Sequence, residues 1–577
     1  MMHAGSFVSL SVTLLLASGC SSGGTSDVPL QPSPPPAPES SITLVTNGVV
    51  YTADDSRSVA EAFAVDDGEI IAVGSNVEIE ALDEPGATRI DLEGRFVLPG
   101  IHDVHVHILE GNSPVIDCMV QPGVPPTQLI PMLRQCSNGQ SGLEWVLGYG
   151  WDMFTLLESS EDPLAAIDEA LPTQPAAIME QTSHAVWVNS LALTALGFSS
   201  ETPDPIGGHI AKDPQGQPNG LLIDNAGDLA FELALSRSAM LDQQNYLGLL
   251  DGLEQLARNG ITSFADARVY WSRGFHEFYA RAETEGQMTA RGVLGLWAYP
   301  QFEDNGQLAE LTTLYHRDDT KRVQRSQIKV YVDGITQNTT ARTLRPYLID
   351  LGFGTPFGLN YFDEDRLAQY IIQLERVGYD FNIHAIGAGG VREALNAIQR
   401  ARDVNPNITD ARHRITHVEL VHPDDIERFA ALGVIADLQL AGDFTDPVQF
   451  RADSIPFIGA DNPALPLPAR ALIDAGAVVT LSSDFDVSPL NPFLGLSNAV
   501  TRSQDSLSVE EAVDAYTRNA AFVMRQEDRL GSLEIGKRAD FVVLDQNILS
   551  ISPDRIVDTQ VLMTVVDGEE VFRSRQF

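Results

Sequence analysis

The chain has 577 residues, 44% of them apolar, and its 79 acidic against 37 basic side chains leave a formal net charge of −42. Such a polyanion repels nucleic acid and anionic membrane surfaces, so neither is expected as a partner. No run of about 18 uncharged apolar residues marks a membrane span.

At the amino end, "FVSLSVTLLLASGC" is a short apolar run that closes on small residues and Cys20. It reads as a cleaved export signal over residues 1–20. The Cys after Ala-Ser-Gly resembles a bacterial lipoprotein signal, which implies lipidation at Cys20. Residues 21–41 are rich in Ser, Gly and Pro, as in a semi-rigid, partly extended tether. The expectation is an exported protein of the periplasm or cell envelope, touching the membrane only through a lipid anchor. The two remaining cysteines, Cys118 and Cys136, are either one disulfide in an oxidising compartment or two buried free thiols.

Residues 42–97 alternate short strands with turns, "ITLVTNGVVYTA", "AFAVDDGEIIAVG" and "TRIDLEGRFVLPG", in which Asn-Gly and Asp-Gly are hairpin signals. Residues 527–577 repeat the style, so the two ends are expected to join in a small β-sandwich. Between them, over 98–526, strand-like apolar runs alternate with amphipathic helical ones, the mark of βα units. The runs are "RFVLPGIHDVHVHI", "ITSFAD", "GVLGLWAY", "IKVYVD", "DFNIHAI", "RITHVEL", "GVIADLQL" and "AVVTLSSD". Eight of them predict an α/β fold, a (β/α)8 TIM-type barrel with its site at the carboxyl ends of the strands. The long gap after the first run is too large for a bare loop, so residues 109–243 are expected to form an inserted subdomain that roofs the barrel mouth.

Potential ligands recur near the ends of these runs. His105 and His107 stand two apart, which on a strand turns both to one face. Alone, a His-x-His pair says little. Lys329, His384, His417 and Asp484 occupy comparable positions in later runs, and six buried polar groups in one barrel are costly unless they share a purpose. Imidazole and carboxylate suit zinc and similar divalent metals. A lysine joins such a set only when neutral or converted to a carbamate.

Taken together, "LPGIHDVHVH", "IKVYVDG", "IHAIG", "THVEL", "SSDFDVSPLNPF" and "GSLEIGKRADFVVLD" resemble the amidohydrolase superfamily. The nearest branch is amidohydrolase family 3, with its N-substituted formamide deformylase-like and D-aminoacylase-like members. The resemblance implies metal-dependent hydrolysis of a C–N bond, amide-type and non-peptide or N-acyl, in a small-molecule substrate. It implies His105, His107, Lys329, His384, His417 and Asp484 as metal ligands, with Lys329 carbamylated where two ions bind, and one or two divalent ions, zinc first among them. Asp484 is implied as the proton-transferring group beside a metal-activated hydroxide. "QTSHAVWVNSLAL" resembles a substrate-roof segment, implying that His184, Trp151 and Trp187 face the substrate and that His184 assists the chemistry. The chain departs from the branch at Ala388, where an acid is usual, at Thr416, where Glu is usual, and in "AGDF", which lacks a histidine. Two rivals remain: ester hydrolysis, isomerisation or decarboxylation on the same metal barrel, and a tethered non-catalytic binding or regulatory lipoprotein. The oligomeric state is left open.

Overall fold

The computed structural model describes residues 41–353, 355–442 and 445–577. The expected export signal, Cys20 and the tether up to residue 40 lie outside the described residues. No helix among the described residues is long and apolar enough to cross a membrane.

Eight strands form one sheet: β1 (Ile101–Val106), β2 (Ile261–Val269), β3 (Arg291–Trp297), β4 (Val323–Tyr331), β5 (Asp380–Ala385), β6 (Arg414–His417), β7 (Ile435–Gln439) and β8 (Val479–Ser482). They lie in consecutive order and every neighbouring pair is parallel. Each run predicted as a barrel strand supplies one of them. Their residues are buried almost without exception, as expected for parallel strands covered on both faces. Helices lie between them, for example Glu364–Leu374 after β4 and Pro423–Leu432 after β6, the latter ending at Gly433 with φ +63°. This is a TIM-type α/β fold.

The barrel closes just past β8. Asp484 N donates to His105 O at 2.9 Å, His107 N donates to Phe485 O, and Val106 and Phe485 form a parallel bridge. The Asp103 carboxylate accepts from His105 N and from Ser483 N, each at 3.2 Å, and so clips β1 to the end of β8.

The two chain ends contribute a four-stranded and a six-stranded sheet, the latter combining Phe96–Pro99 with Phe541–Leu544 and Val561–Val566. Val45, Phe63, Val97, Phe541 and Met563 share one apolar core, with Phe63 and Phe541 edge to face at 5.0 Å. Asp67-Gly68 turns a hairpin with both φ positive, and Asp567-Gly568 does the same near the carboxyl end. Asn47-Gly48 behaves differently from expectation. Thr43–Thr46 pairs within the four-stranded sheet and Val49–Tyr51 within the six-stranded one, so this step carries the chain from one sheet to the other. Both flanking strands find better partners than each other.

Between β1 and β2 the chain builds a five-stranded mixed sheet, and helix Ala239–Arg258 leads into β2. Cys118 and Cys136 are disulfide-bonded with Cα atoms 5.3 Å apart, tying the approach to this sheet to helix Pro126–Gly139.

A Cβ added at Gly68, where φ is +72°, would lie 2.2 Å from Asp567 O. Gly68→Ala is therefore expected to destabilise the protein by about 1–3 kcal/mol, read as a lower midpoint of thermal unfolding. An unchanged midpoint would show that the two turns do not need their close approach.

Candidate metal centre

The six predicted ligands converge at the carboxyl end of the barrel. His105 lies in β1 and His107 directly follows it, Lys329 is on β4, His384 on β5, His417 ends β6, and Asp484 follows β8. All are buried or nearly so. His107 Nε2 and Asp484 Oδ1 are hydrogen-bonded at 3.0 Å, and His105 Nε2 stands 3.3 Å from the same oxygen. Lys329 Nζ is 3.1 Å from His105 Nε2, and His417 Nδ1 is 3.9 Å from Asp484 Oδ2. The His384 and His417 rings meet edge to face at 4.3 Å. His417 and Asp484 adopt left-handed backbone, φ +73° and +58°, a conformation that costs an L-residue of order 1 kcal/mol or more. It turns each side chain into the mouth at the point where its strand ends.

A second set of side chains holds this first one. Thr416 Oγ1 donates to Asp437 Oδ2 at 2.8 Å and so can only accept from His105 Nδ1, 2.7 Å away. That fixes the proton on Nδ1 and leaves the Nε2 lone pair facing the cluster. Thr480, Ser482 and Gln439 also donate to the buried Asp437. On the other flank, Glu110 Oε2 lies 3.3 Å from His107 Nδ1, and both Glu110 oxygens accept from Arg268 at 3.0 Å. Arg268 donates in turn to the Tyr331 hydroxyl, and that ring stacks on His384 at 4.1 Å. Sequence reading missed Asp437, Glu110, Arg268 and Tyr331. The signal for Asp437 was a carboxylate inside the apolar run "GVIADLQL".

Burial dominates the electrostatics. It pushes the Lys329 ammonium well below its ordinary pKa, toward the neutral amine. Burial, with Lys329 nearby, does the same to His105, and burial takes His417 down to about 3 and His384 well down. His107 goes the other way: burial opposes its charge, but the Asp484 and Glu110 carboxylates raise it to about 9. Asp484 is kept ionised despite burial by His107, His417 and Lys329.

These residues suit a divalent cation. His105, His417 and Asp484 each offer a ligand atom, all within 4.8 Å of one another. His417 Nε2 and His384 Nδ1 are buried without a hydrogen-bond partner among the described residues, and a buried imidazole nitrogen is rarely left so unless something else takes its lone pair.

His184 reaches the same mouth from the turn before Ala185–Val188 of the five-stranded sheet. Its Nδ1 is 2.6 Å from Asp224 Oδ1, which also accepts from the Tyr361 hydroxyl, and its ring lies 5.4 Å from that of His384. It lines a cavity of about 90 Å³ with His107, His384, His417, Glu419 and Asp484. Trp151 and Trp187 do not, which corrects the expected substrate contact. Both point into the core of the five-stranded sheet, 6.3 Å apart, and their indole N–H groups donate to Ile178 O and Pro163 O. Alternation along their strands sends them inward. His102 and His413 are packed polar residues away from the cluster, His413 with Nε2 3.1 Å from Glu375.

Comparison with known proteins follows the geometry. Residues 88–572 match the model of the amidohydrolase family. N-substituted formamide deformylase of Arthrobacter pascens is 26% identical over 544 residues, covering 91% of this chain and 97% of that protein. Protein LONG AFTER FAR-RED 3 of Arabidopsis thaliana is 27% identical over 562 residues, covering 93% of each. An uncharacterized metal-dependent hydrolase from Pyrococcus horikoshii superposes with a TM-score of 0.69 at 23% identity, covering 89% of this chain and 99% of that one, a likeness of fold.

Thr416→Val keeps the shape of the side chain but removes the acceptor for His105 Nδ1. It is expected to weaken divalent metal binding roughly 10–100-fold, measured by competition with a chromophoric chelator. Trp187→Phe is expected to lower the unfolding midpoint while leaving substrate KM within about twofold, and a large change in KM would restore the tryptophan to the site.

Proposed function

The chain belongs to the amidohydrolase family, and on that premise we propose that it is a metal-dependent hydrolase cleaving the C–N bond of a small non-peptide or N-acyl amide. The observation that carries this reading is the convergence of His105, His417 and Asp484 at the barrel mouth, beside imidazole nitrogens left without partners. Nitrogen and carboxylate donors suit zinc, and His105, His107, His384, His417 and Asp484 would hold one or two ions. When bound, the metal supplies Lewis acidity toward the scissile carbonyl and lowers the pKa of a water to about 7.

The protein's own groups do the rest. Asp484, ionised and oriented by His107, accepts the proton of the attacking water as its oxygen bonds to the carbonyl carbon. It delivers that proton to the departing nitrogen as the C–N bond breaks. In the form with a proton on both ring nitrogens, His184 keeps Nδ1 on Asp224 and donates from Nε2 to the oxygen on which charge develops. Lys329, depleted of its proton by burial, is suited to add carbon dioxide with loss of a proton, which gives a carbamate able to join the ligands. The proposal includes export to the cell envelope with a lipid anchor at Cys20. Its supports are the signal-like first 20 residues and the Cys118–Cys136 disulfide, a bond that persists in oxidising compartments.

The test is metal analysis of purified protein coupled to a panel of N-substituted formamides, N-acyl amino acids, cyclic amides and esters, read for released amine or acid. Chelation should abolish turnover and zinc should restore it. Asp484→Asn should lower kcat on the best amide roughly a thousandfold with the fold intact by circular dichroism. Near-normal turnover by that variant, or protein free of divalent metal and fully active, would overturn the assignment.

A further inference from the structure

Beside the metal cavity lies a second one, of about 230 Å³, and the two share no lining residue. Backbone divides them on two sides: Ile386 lines the metal cavity and Ala388 the other, and Glu419 and Leu420 part in the same way. The remaining walls come from the loop after β4, at Thr343, Leu344 and Arg345, and from the residues that lead into the short strand Leu465–Pro466.

The charges of this lining are of one sign. Arg345, Arg392 and His422 face the cavity and no carboxylate does among the described residues, in a chain with 79 acidic against 37 basic side chains. All three keep donors in hand. Arg345 is tied only through Nη1, to Asp461 at 3.2 Å, where both side chains are exposed. Arg392 gives Nε and Nη2 to one oxygen of Asp425, which leaves Nη1 without a partner among the described residues. Asp425 also accepts from Arg428 at 2.9 Å, so one carboxylate stands between two guanidiniums. His422 Nδ1 accepts from Asp424 N at 3.2 Å, which puts the proton of the neutral ring on Nε2. Leu344, Leu420 and Pro463 add apolar wall. A concave site with a few charged donors among apolar walls has the form of a small-molecule site, and N–H donors without a carboxylate select an anion.

We propose that this cavity binds a small organic anion, its carboxylate or phosphate held by Arg345, Arg392 and His422 and its short apolar body against Leu344, Leu420 and Pro463. The site is separate from the metal centre and does not rest on the amide-hydrolase reading. An occupant ties the loop after β4 to helix Ala388–Val404 and to the turn before helix Pro423–Leu432, so binding should also raise the unfolding midpoint.

The probes are butyl phosphate, pentanoate and pentanamide, which share a butyl group and differ in charge, and inorganic phosphate, which lacks it. In calorimetric titration of the metal-loaded protein, butyl phosphate or pentanoate should bind at one site per chain, and the tighter of the two identifies the acidic group. Uncharged pentanamide should bind at least roughly tenfold more weakly, and inorganic phosphate more weakly than its butyl ester. Arg345→Gln and Arg392→Gln should each weaken the anion roughly tenfold. Ala388→Asp sets a carboxylate in the cavity at the first turn of a helix, where an acid is accommodated, and should abolish binding with the fold intact by circular dichroism. No binding of either organic anion, pentanamide bound as tightly as the anions, or binding that survives all three substitutions overturns the inference. Binding that survives them and vanishes on chelation belongs to the metal centre instead. Inorganic phosphate bound as tightly as its ester overturns the organic class of ligand.

Discussion

The site depends on the seam at which the barrel closes. A parallel eight-stranded sheet becomes a barrel only when its last strand bonds to its first, and here that contact is made by His105 O with Asp484 N and by His107 N with Phe485 O. The residues that close the cylinder are the residues that carry three of the six convergent side chains. Asp103 reinforces the join by taking backbone N–H groups from both sides. The geometry of the cluster and the closure of the fold are therefore one constraint, and a displacement of the seam would move His105, His107 and Asp484 apart together.

What the seam assembles is electrostatically incomplete by itself. A lysine, four imidazoles and a carboxylate are buried within contact of one another, and burial drives the lysine and three of the histidines toward neutrality. His107 alone is pushed toward the charged form, because Asp484 and Glu110 face it. A proton there stands between two carboxylates that a metal cation would otherwise help to balance. The surrounding scaffold is arranged for lone pairs to point inward. Thr416 and Asp437 hold the His105 proton on its far side, and Glu110, clamped by Arg268, lies on the far side of His107.

Much of this was readable from sequence, for a physical reason. Parallel strands buried on both faces show as continuous apolar runs, so a histidine, lysine or aspartate at the end of such a run stands out, and all six predicted ligands do converge. The supporting residues were less visible because their meaning is relational. Thr416 reads as a missing acid until its hydroxyl is found between His105 and Asp437, and Glu110 and Arg268 are 158 positions apart. Trp151 and Trp187 failed for a related reason: resemblance to a substrate-facing segment says nothing about which face of a strand each side chain takes. Asn47-Gly48 shows the same limit in the end sheets, since a turn signal specifies a local bend but not the sheet that each flanking strand joins.

The fold divides its labour between closing the barrel and walling its mouth. Backbone bonds of the barrel position the convergent side chains, and such a cluster would serve many substrates equally. What else walls the mouth is mounted outside the strands: His184 reaches it from the segment between β1 and β2, supported by Asp224, which also accepts from Tyr361. Arg268, the one permanent cation of the cavity lining among the described residues, is spent on holding Glu110, whose other neighbour is His107.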